Sequence, residues 1–290
     1  MAQGVRLSRL TALRVGGKPR EYFRPRDEEE LRGALAECRD RRMPWRVLGG
    51  GSNLLVEDGD LPYAVIHIAP PGFGSVERAG RHGVRAGAGL RSGALLAFCR
   101  DEGLGGLEFL AGLPGSVGGA VAGNAGAWEH HVSDRLSRVH LIGPDGGRRV
   151  LPPERLRFGY RTAELDGAIV TAAEFALEPR DPELIGARMD HCIARRQQRH
   201  PAGLSAGCIF KNPPGESAGR LLDLCGLKGR RVGGAEVSRQ HANFILNRGA
   251  ASTRDVLALI AQMKRAVRRR FGIELELEVR HWPAARRRVA

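Results

Sequence analysis

At 290 residues the chain is longer than the usual single domain, so two or three packed units are expected, and it can bury a core without disulfide or metal staples. A hydrophobic content of 42% excludes a disordered composition. The formal net charge of +14 is carried almost wholly by arginine, which reads either as an anionic partner or as an Arg-for-Lys bias of the source genome. The basic residues are spread without the aromatic interleaving of a nucleic-acid groove, so no nucleic-acid partner is expected.

Asp27 followed by Glu28-Glu29-Glu30, with Leu31, Ala34, Leu35 and Cys38 in helical register, predicts a capped helix whose acidic first turn suits its dipole. Trp45–Leu48 and Ala64–Ile68 read as strands, giving a β-α-β start. Val84–Gly89 reads as a strand and Ser92–Asp101 as a helix closing at Gly103. Strands are expected at Ser137–Ile142, Arg148–Leu151 and Ala168–Phe175, with a Pro-Asp-Gly-Gly turn at 144–147. Pro179 to Pro201 reads as a polar helix linking domains. Ala218–Cys225 is predicted helical and Ala242–Leu246 a strand. Ser252–Phe271 is a long amphipathic helix with Val256, Leu259, Ile260, Met263 and Val267 on one face. Ile273–Val279 alternates apolar and acidic residues, which predicts a final strand with Glu274, Glu276 and Glu278 on its polar side.

The five cysteines, Cys38, Cys99, Cys192, Cys208 and Cys225, contain no CxxC pair, so neither a zinc ribbon nor a disulfide framework is indicated. No metal is expected. The N-terminus lacks the apolar core of a signal peptide, and no run approaches the roughly 20 apolar residues of a membrane span. A cytoplasmic protein without a membrane partner is the expectation.

Two glycine-rich stretches stand out. Gly49-Gly50-Gly51-Ser52-Asn53 follows a strand, and consecutive glycines can form an anion nest, or serve only a tight turn. It matches neither GxGxxG nor the GxxxxGK[ST] phosphate loop. Leu113-Pro114-Gly115-Ser116-Val117-Gly118-Gly119, continuing through Asn124-Ala125-Gly126, carries no charge and almost no bulk. Such a segment makes a poor core and an entropically costly loop, and it suits backbone lying flat against a large planar or phosphorylated ligand.

Gly49–Asn53 and the run Gly106–Ala120 together resemble the UDP-N-acetylenolpyruvoylglucosamine reductases of bacterial cell-wall synthesis. The resemblance continues through Asn124-Ala125-Gly126-Ala127, Phe158-Gly159-Tyr160-Arg161, Ile209-Phe210-Lys211-Asn212-Pro213, Gly226-Leu227-Lys228-Gly229, Val237-Ser238 with His241-Ala242, and Leu275–Arg280, in order along nearly the whole chain. It implies an α+β fold with a two-part FAD-binding domain of the vanillyl-alcohol-oxidase type and a smaller α/β substrate-binding domain. The implied boundaries are 1–72 and 73–190 for the FAD-binding parts, 191–270 for the substrate domain, and 271–290 for a strand and tail returning to the FAD domain. The length suggests the shorter form of the family.

The resemblance further implies non-covalent FAD, NADPH as hydride donor, and a UDP-sugar enolpyruvyl ether as the small-molecule substrate, handled by a monomer. FAD would be held by Gly49, Gly50, Gly51, Ser52, Asn53, Pro114, Gly115, Ser116, Gly118, Gly119, Asn124, Ala125 and Gly126. Arg161 and Glu278 would stabilise the intermediate, with Tyr160, Lys211 and Asn212 on the substrate. Cys208 stands where many members have serine as proton donor. A thiol with an ordinary pKa of about 8.5 is protonated at neutral pH and can serve, whereas by residue type alone it reads as a small buried hydrophobe. Two alternatives stand beside this reading: an FAD-dependent oxidase of the same fold acting on a different alcohol or sugar lactone, and a basic nucleotide- or nucleic-acid-binding protein without redox chemistry.

Overall fold

The computed structural model describes residues 4–284; the first three residues and the arginine-rich tail from 285 to 290 lie outside the described residues. Secondary structure is mixed, with six α-helices and several mostly antiparallel sheets among the described residues, an α+β architecture. The chain forms two compact units. Among the described residues the first comprises 21–50 and 63–196, the second 4–20, 51–62 and 197–284.

In the first unit, helix α1 (Glu28–Asp40) begins where the Asp27 side chain accepts the Glu30 N–H at 2.8 Å. It buries Leu31, Ala34, Leu35 and Cys38, the face that the helical period predicts. Trp45–Leu48 runs parallel to 60–67, with Trp45 opposite Ala64 and Leu48 opposite His67. Lys18–Phe23, which carries no strand signal in the sequence reading, completes that sheet. A five-stranded antiparallel sheet follows, ordered 148–151, 136–142, 169–176, 83–87, 76–78. Helix α2 (Ser92–Asp101) packs Leu95, Leu96 and Cys99 into a core shared with Leu31, Val84, Val139 and Phe175. Helix α3 (Val117–Ala122) lies inside the glycine-rich stretch, and helix α4 (Pro182–Arg199) occupies the predicted linking helix.

The second unit is built on helices α5 (Ala218–Leu224) and α6 (Thr253–Phe271) with a small sheet ordered 231–232, 235–237, 245–247. Ser252 and Asp255 form a reciprocal capping box, and Gly272 at φ 71° ends the helix. Val256, Leu259, Ile260, Met263 and Val267 are all buried, as the apolar stripe predicts. Leu259 is fully buried, so Leu259→Ala is expected to lower unfolding stability by about 2–5 kcal/mol, read as a fall in the urea midpoint at constant slope.

The predicted strand over 273–279 is not one. The segment makes an isolated bridge between Leu277 and Phe210 and scattered main-chain bonds to 209–211, with no ladder. Its alternation holds in burial: Leu275 and Val279 are buried, while Glu274 and Glu276 are exposed. Regular pairing begins only at Arg280–Trp282, parallel to Leu54–Val56. Among the described residues no helix is long and apolar enough to cross a membrane.

Candidate active site

The glycines of the first unit first explain how two of its loops approach. A Cβ at Gly49 would lie 2.7 Å from Ser116 Oγ, and one at Gly50 would lie 2.8 Å from the Gly115 Cα. Neither position admits a side chain. Ser116 is buried, and its hydroxyl accepts the N–H groups of Gly50 (3.3 Å) and Gly119 (3.4 Å), capping α3. The stretch expected to lie flat thus contains a turn and a half of helix. Gly118 packs on Ala88, where a Cβ would come within 2.8 Å. Pro114 and Gly119 are exposed, and a Cβ at Gly119 would meet nothing nearer than Ser116 Oγ at 3.5 Å. α3 therefore presents a bare, uncharged glycine face. No charged side chain occurs in 113–126, so an anionic dinucleotide placed there would meet backbone dipoles and no like charge. The residues present fit FAD.

Asn124, Ala125 and Gly126 continue from α3. The Ala125 N–H bonds the Ala120 carbonyl at 2.8 Å, and Gly126 pairs with His131. The Asn124 side chain is buried and turned inward: Nδ2 donates to the Gly159 carbonyl (3.1 Å) and Oδ1 accepts the Ser133 N–H (3.3 Å). Gly159 belongs to a hairpin, Arg157–Gly159 paired with Thr162–Glu164, whose tip carries Tyr160 and Arg161. Arg161 has a left-handed backbone, φ 61°, and its Nη1 donates to the Gly126 carbonyl at 2.7 Å. Tyr160 is 49% exposed, with the Arg161 guanidinium 5.6 Å from its ring centroid. A second cation, Arg196, is buried against the same unit. It donates to the Ala111 and Phe109 carbonyls at 2.9 and 2.7 Å and lies 4.6 Å over Trp128. Burial pulls its pKa below the usual arginine value, and the charge of Arg161 adds to that.

In the second unit the structure sets Cys208 and Glu278 on adjoining backbone. The Ile209 carbonyl accepts the Glu278 N–H at 2.9 Å, the Glu276 carbonyl accepts the Lys211 N–H at 2.9 Å, and Cys208 bridges to Phe244. Both candidate side chains are half-buried, in contrast to exposed Glu274 and Glu276. Lys211 Nζ lies 3.4 Å from the Glu276 carboxylate, and Asn212 Oδ1 accepts the Ala218 N–H at 3.0 Å, ahead of α5. Gly51, at φ 66°, lies against Leu10, where a Cβ would be 2.1 Å from the carbonyl oxygen. Ser52 is half-buried beside it, and Asn53 Nδ2 donates to the Glu278 carbonyl at 3.2 Å.

Asn243 is a residue the sequence reading passes over. It is buried, and both ends of its amide hold Phe210: Oδ1 accepts the N–H at 3.0 Å and Nδ2 donates to the carbonyl at 2.8 Å. The available signal was an amide inside the apolar run from Ala242 to Leu246, which must find partners when buried. His241 accepts the Asn243 N–H on Nδ1 at 3.2 Å, and burial, with the Lys228 charge, holds its pKa below the usual histidine value.

Residues 198–282 match the C-terminal domain of UDP-N-acetylenolpyruvoylglucosamine reductase, and residues 19–151 match an FAD binding domain. The latter agrees with the vanillyl-alcohol-oxidase-type fold that the resemblance implies. UDP-N-acetylenolpyruvoylglucosamine reductase of Geobacter sulfurreducens is 44% identical over 280 residues, 94% of this chain and 91% of the relative. The enzyme of that name from Moorella thermoacetica is 43% identical over 279 residues, 95% and 91% of the two chains. A crystal structure of the reductase from Thermus caldophilus superposes with a TM-score of 0.83 at 42% identity, covering 96% of this chain and 98% of that one. With such identity over nearly its whole length, the chain belongs to the UDP-N-acetylenolpyruvoylglucosamine reductase family and is an FAD-dependent oxidoreductase.

Proposed function

We propose that the protein reduces the enolpyruvyl ether of UDP-N-acetylglucosamine to the lactyl ether of UDP-N-acetylmuramate, a step of peptidoglycan synthesis, in the cytoplasm and with NADPH as the reductant. The carrying observation is the adjoining backbone of Cys208 and Glu278, which joins an acid S–H and a carboxyl group in one unit. When bound, FAD would supply the hydride-transfer chemistry between NADPH and the vinyl carbon. The glycine-rich backbone of 49–53 and 114–126 binds it.

Charge then develops on the carbon beside the substrate carboxylate. Arg161 grips that carboxylate through its planar guanidinium and stabilises the enolate form. Cys208 gives its S–H proton to the carbanionic carbon, forming the C–H bond, and the thiolate is reprotonated from solvent. Glu278 stabilises the intermediate and relays that proton. Tyr160, Lys211 and Asn212 contact the UDP-sugar. The basic surplus suits a set of ligands that are all anions.

The test is anaerobic. The purified protein is expected to show flavin absorbance, to bleach with NADPH, and to recover colour on addition of the enolpyruvyl UDP-sugar. Recovery with oxygen alone, and none with that substrate, favours an oxidase of the same fold acting on another alcohol or sugar lactone.

A further inference from the structure

We propose that Asn124 is the positioning residue of Arg161: its buried amide ties the end of α3 to the hairpin 157–164 and so fixes where the guanidinium stands. The proposal rests on the role given to Arg161 above. By sequence, Asn124 falls among the residues facing the cofactor, yet its side chain has both ends occupied within the protein. Nδ2 bonds the Gly159 carbonyl, two residues before Arg161, while Oδ1 bonds the Ser133 N–H. The residue is 5% exposed, and its own N–H bonds the Val121 carbonyl of α3 at 3.0 Å. One residue therefore links the last turn of α3, the 124–133 loop and the hairpin.

The hairpin is short, three residues on each side, and Phe158 is its hydrophobic contact with the core of the first unit. It is hydrogen-bonded to the 124–126 segment by Asn124 to Gly159 and by Arg161 to Gly126. Backbone strain collects at the same place. Asn124 (φ 40°), Trp128 (51°), Glu129 (66°) and Arg161 (61°) are four of the eight non-glycine residues with left-handed backbone among the described residues. Left-handed conformations persist only where the surroundings over-determine them, and asparagine tolerates them best. Asn124 does both jobs, accepting the strained turn and supplying the bond that holds Arg161 in its own.

The test uses the FAD-loaded enzyme. Asn124→Gly keeps a left-handed backbone without strain and removes the clamp, while Asn124→Asp keeps an acceptor for Ser133 but loses the donor to Gly159. Where one variant does not fold, the other decides. Amide hydrogen exchange over 157–164 is expected to speed by about tenfold or more, with α1 and α6 unchanged. Reoxidation by the enolpyruvyl UDP-sugar is expected to slow on the order of 10- to 100-fold, the cost of a misplaced group. Added to Arg161→Ala, Asn124→Gly is expected to cost no more than about a further twofold, because the two act as one.

Unchanged exchange across the hairpin overturns the proposal. Loss of bound flavin with the hairpin still protected also overturns it and assigns the amide to the cofactor. Full additivity with Arg161→Ala does the same. A normal second half-reaction in Arg161→Ala alone removes instead the role given to Arg161, and the exchange measurement then decides the positioning by itself.

Discussion

Cys208→Ala is expected to leave reduction of the flavin by NADPH at its normal rate and to slow reoxidation by the enolpyruvyl substrate by about 10²- to 10⁴-fold, the span of a positioned proton donor. The thiol sits on a backbone fixed from two sides. Cys208 bridges to Phe244, and the next two residues are held by Asn243 and by the Glu278 N–H. Cys208→Ser keeps a donor at the same point and is expected to recover most of the rate, with a remaining deficit of about tenfold or less because a hydroxyl is the weaker acid. Anaerobic stopped-flow absorbance separates the two half-reactions. An alanine variant that reoxidises at the normal rate removes Cys208 from the chemistry.

Arg161→Ala is expected to lower kcat/KM for the UDP-sugar by about 10²- to 10³-fold, the usual cost of losing one pre-organised group from developing negative charge. Arg161→Lys should recover only part of this, since an ammonium cannot bind a carboxylate through two parallel N–H bonds. Both substitutions remove the bond to the Gly126 carbonyl, so hydrogen exchange across the hairpin must accompany the kinetics. A rate loss confined to NADPH oxidation, with the second half-reaction intact, would contradict the assignment.

What the sequence made legible follows the strength of local signals. The Ser252–Phe271 helix and the Glu28–Asp40 helix carry both a cap and a buried stripe, and both formed with those residues inside. The alternation of 273–279 was equally regular, yet its neighbour is the irregular segment 208–211, which offers a bridge and scattered main-chain bonds and no ladder. Alternation reports burial on one side; it cannot report what the backbone pairs with. Helix α3 was hidden for the opposite reason. Gly118 and Gly119 inside it have the poorest helix propensity of ordinary residues, and only the Ser116 cap betrays the helix.

The proposal of Arg161, Cys208 and Glu278 as site residues rests on family resemblance, not on pattern, which read Glu278 as solvated and Cys208 as a small buried hydrophobe. Asn124 and Asn243 show the remaining limit. Each is defined by a partner about 35 residues away, Gly159 and Phe210, and no local spacing announces such a bond.

The pairing of Leu54–Val56 with Arg280–Trp282 has a consequence for biosynthesis. Asn53 meets Glu278 across 225 residues, so this part of the second unit cannot close until nearly the whole chain has left the ribosome. At typical rates of elongation that is a wait of roughly ten to fifty seconds. Throughout it Leu54, Leu55 and Val56, all buried in the finished protein, form an unpaired apolar edge. Closure over so long a sequence separation is slow, and an apolar edge left open for that time can pair with other chains.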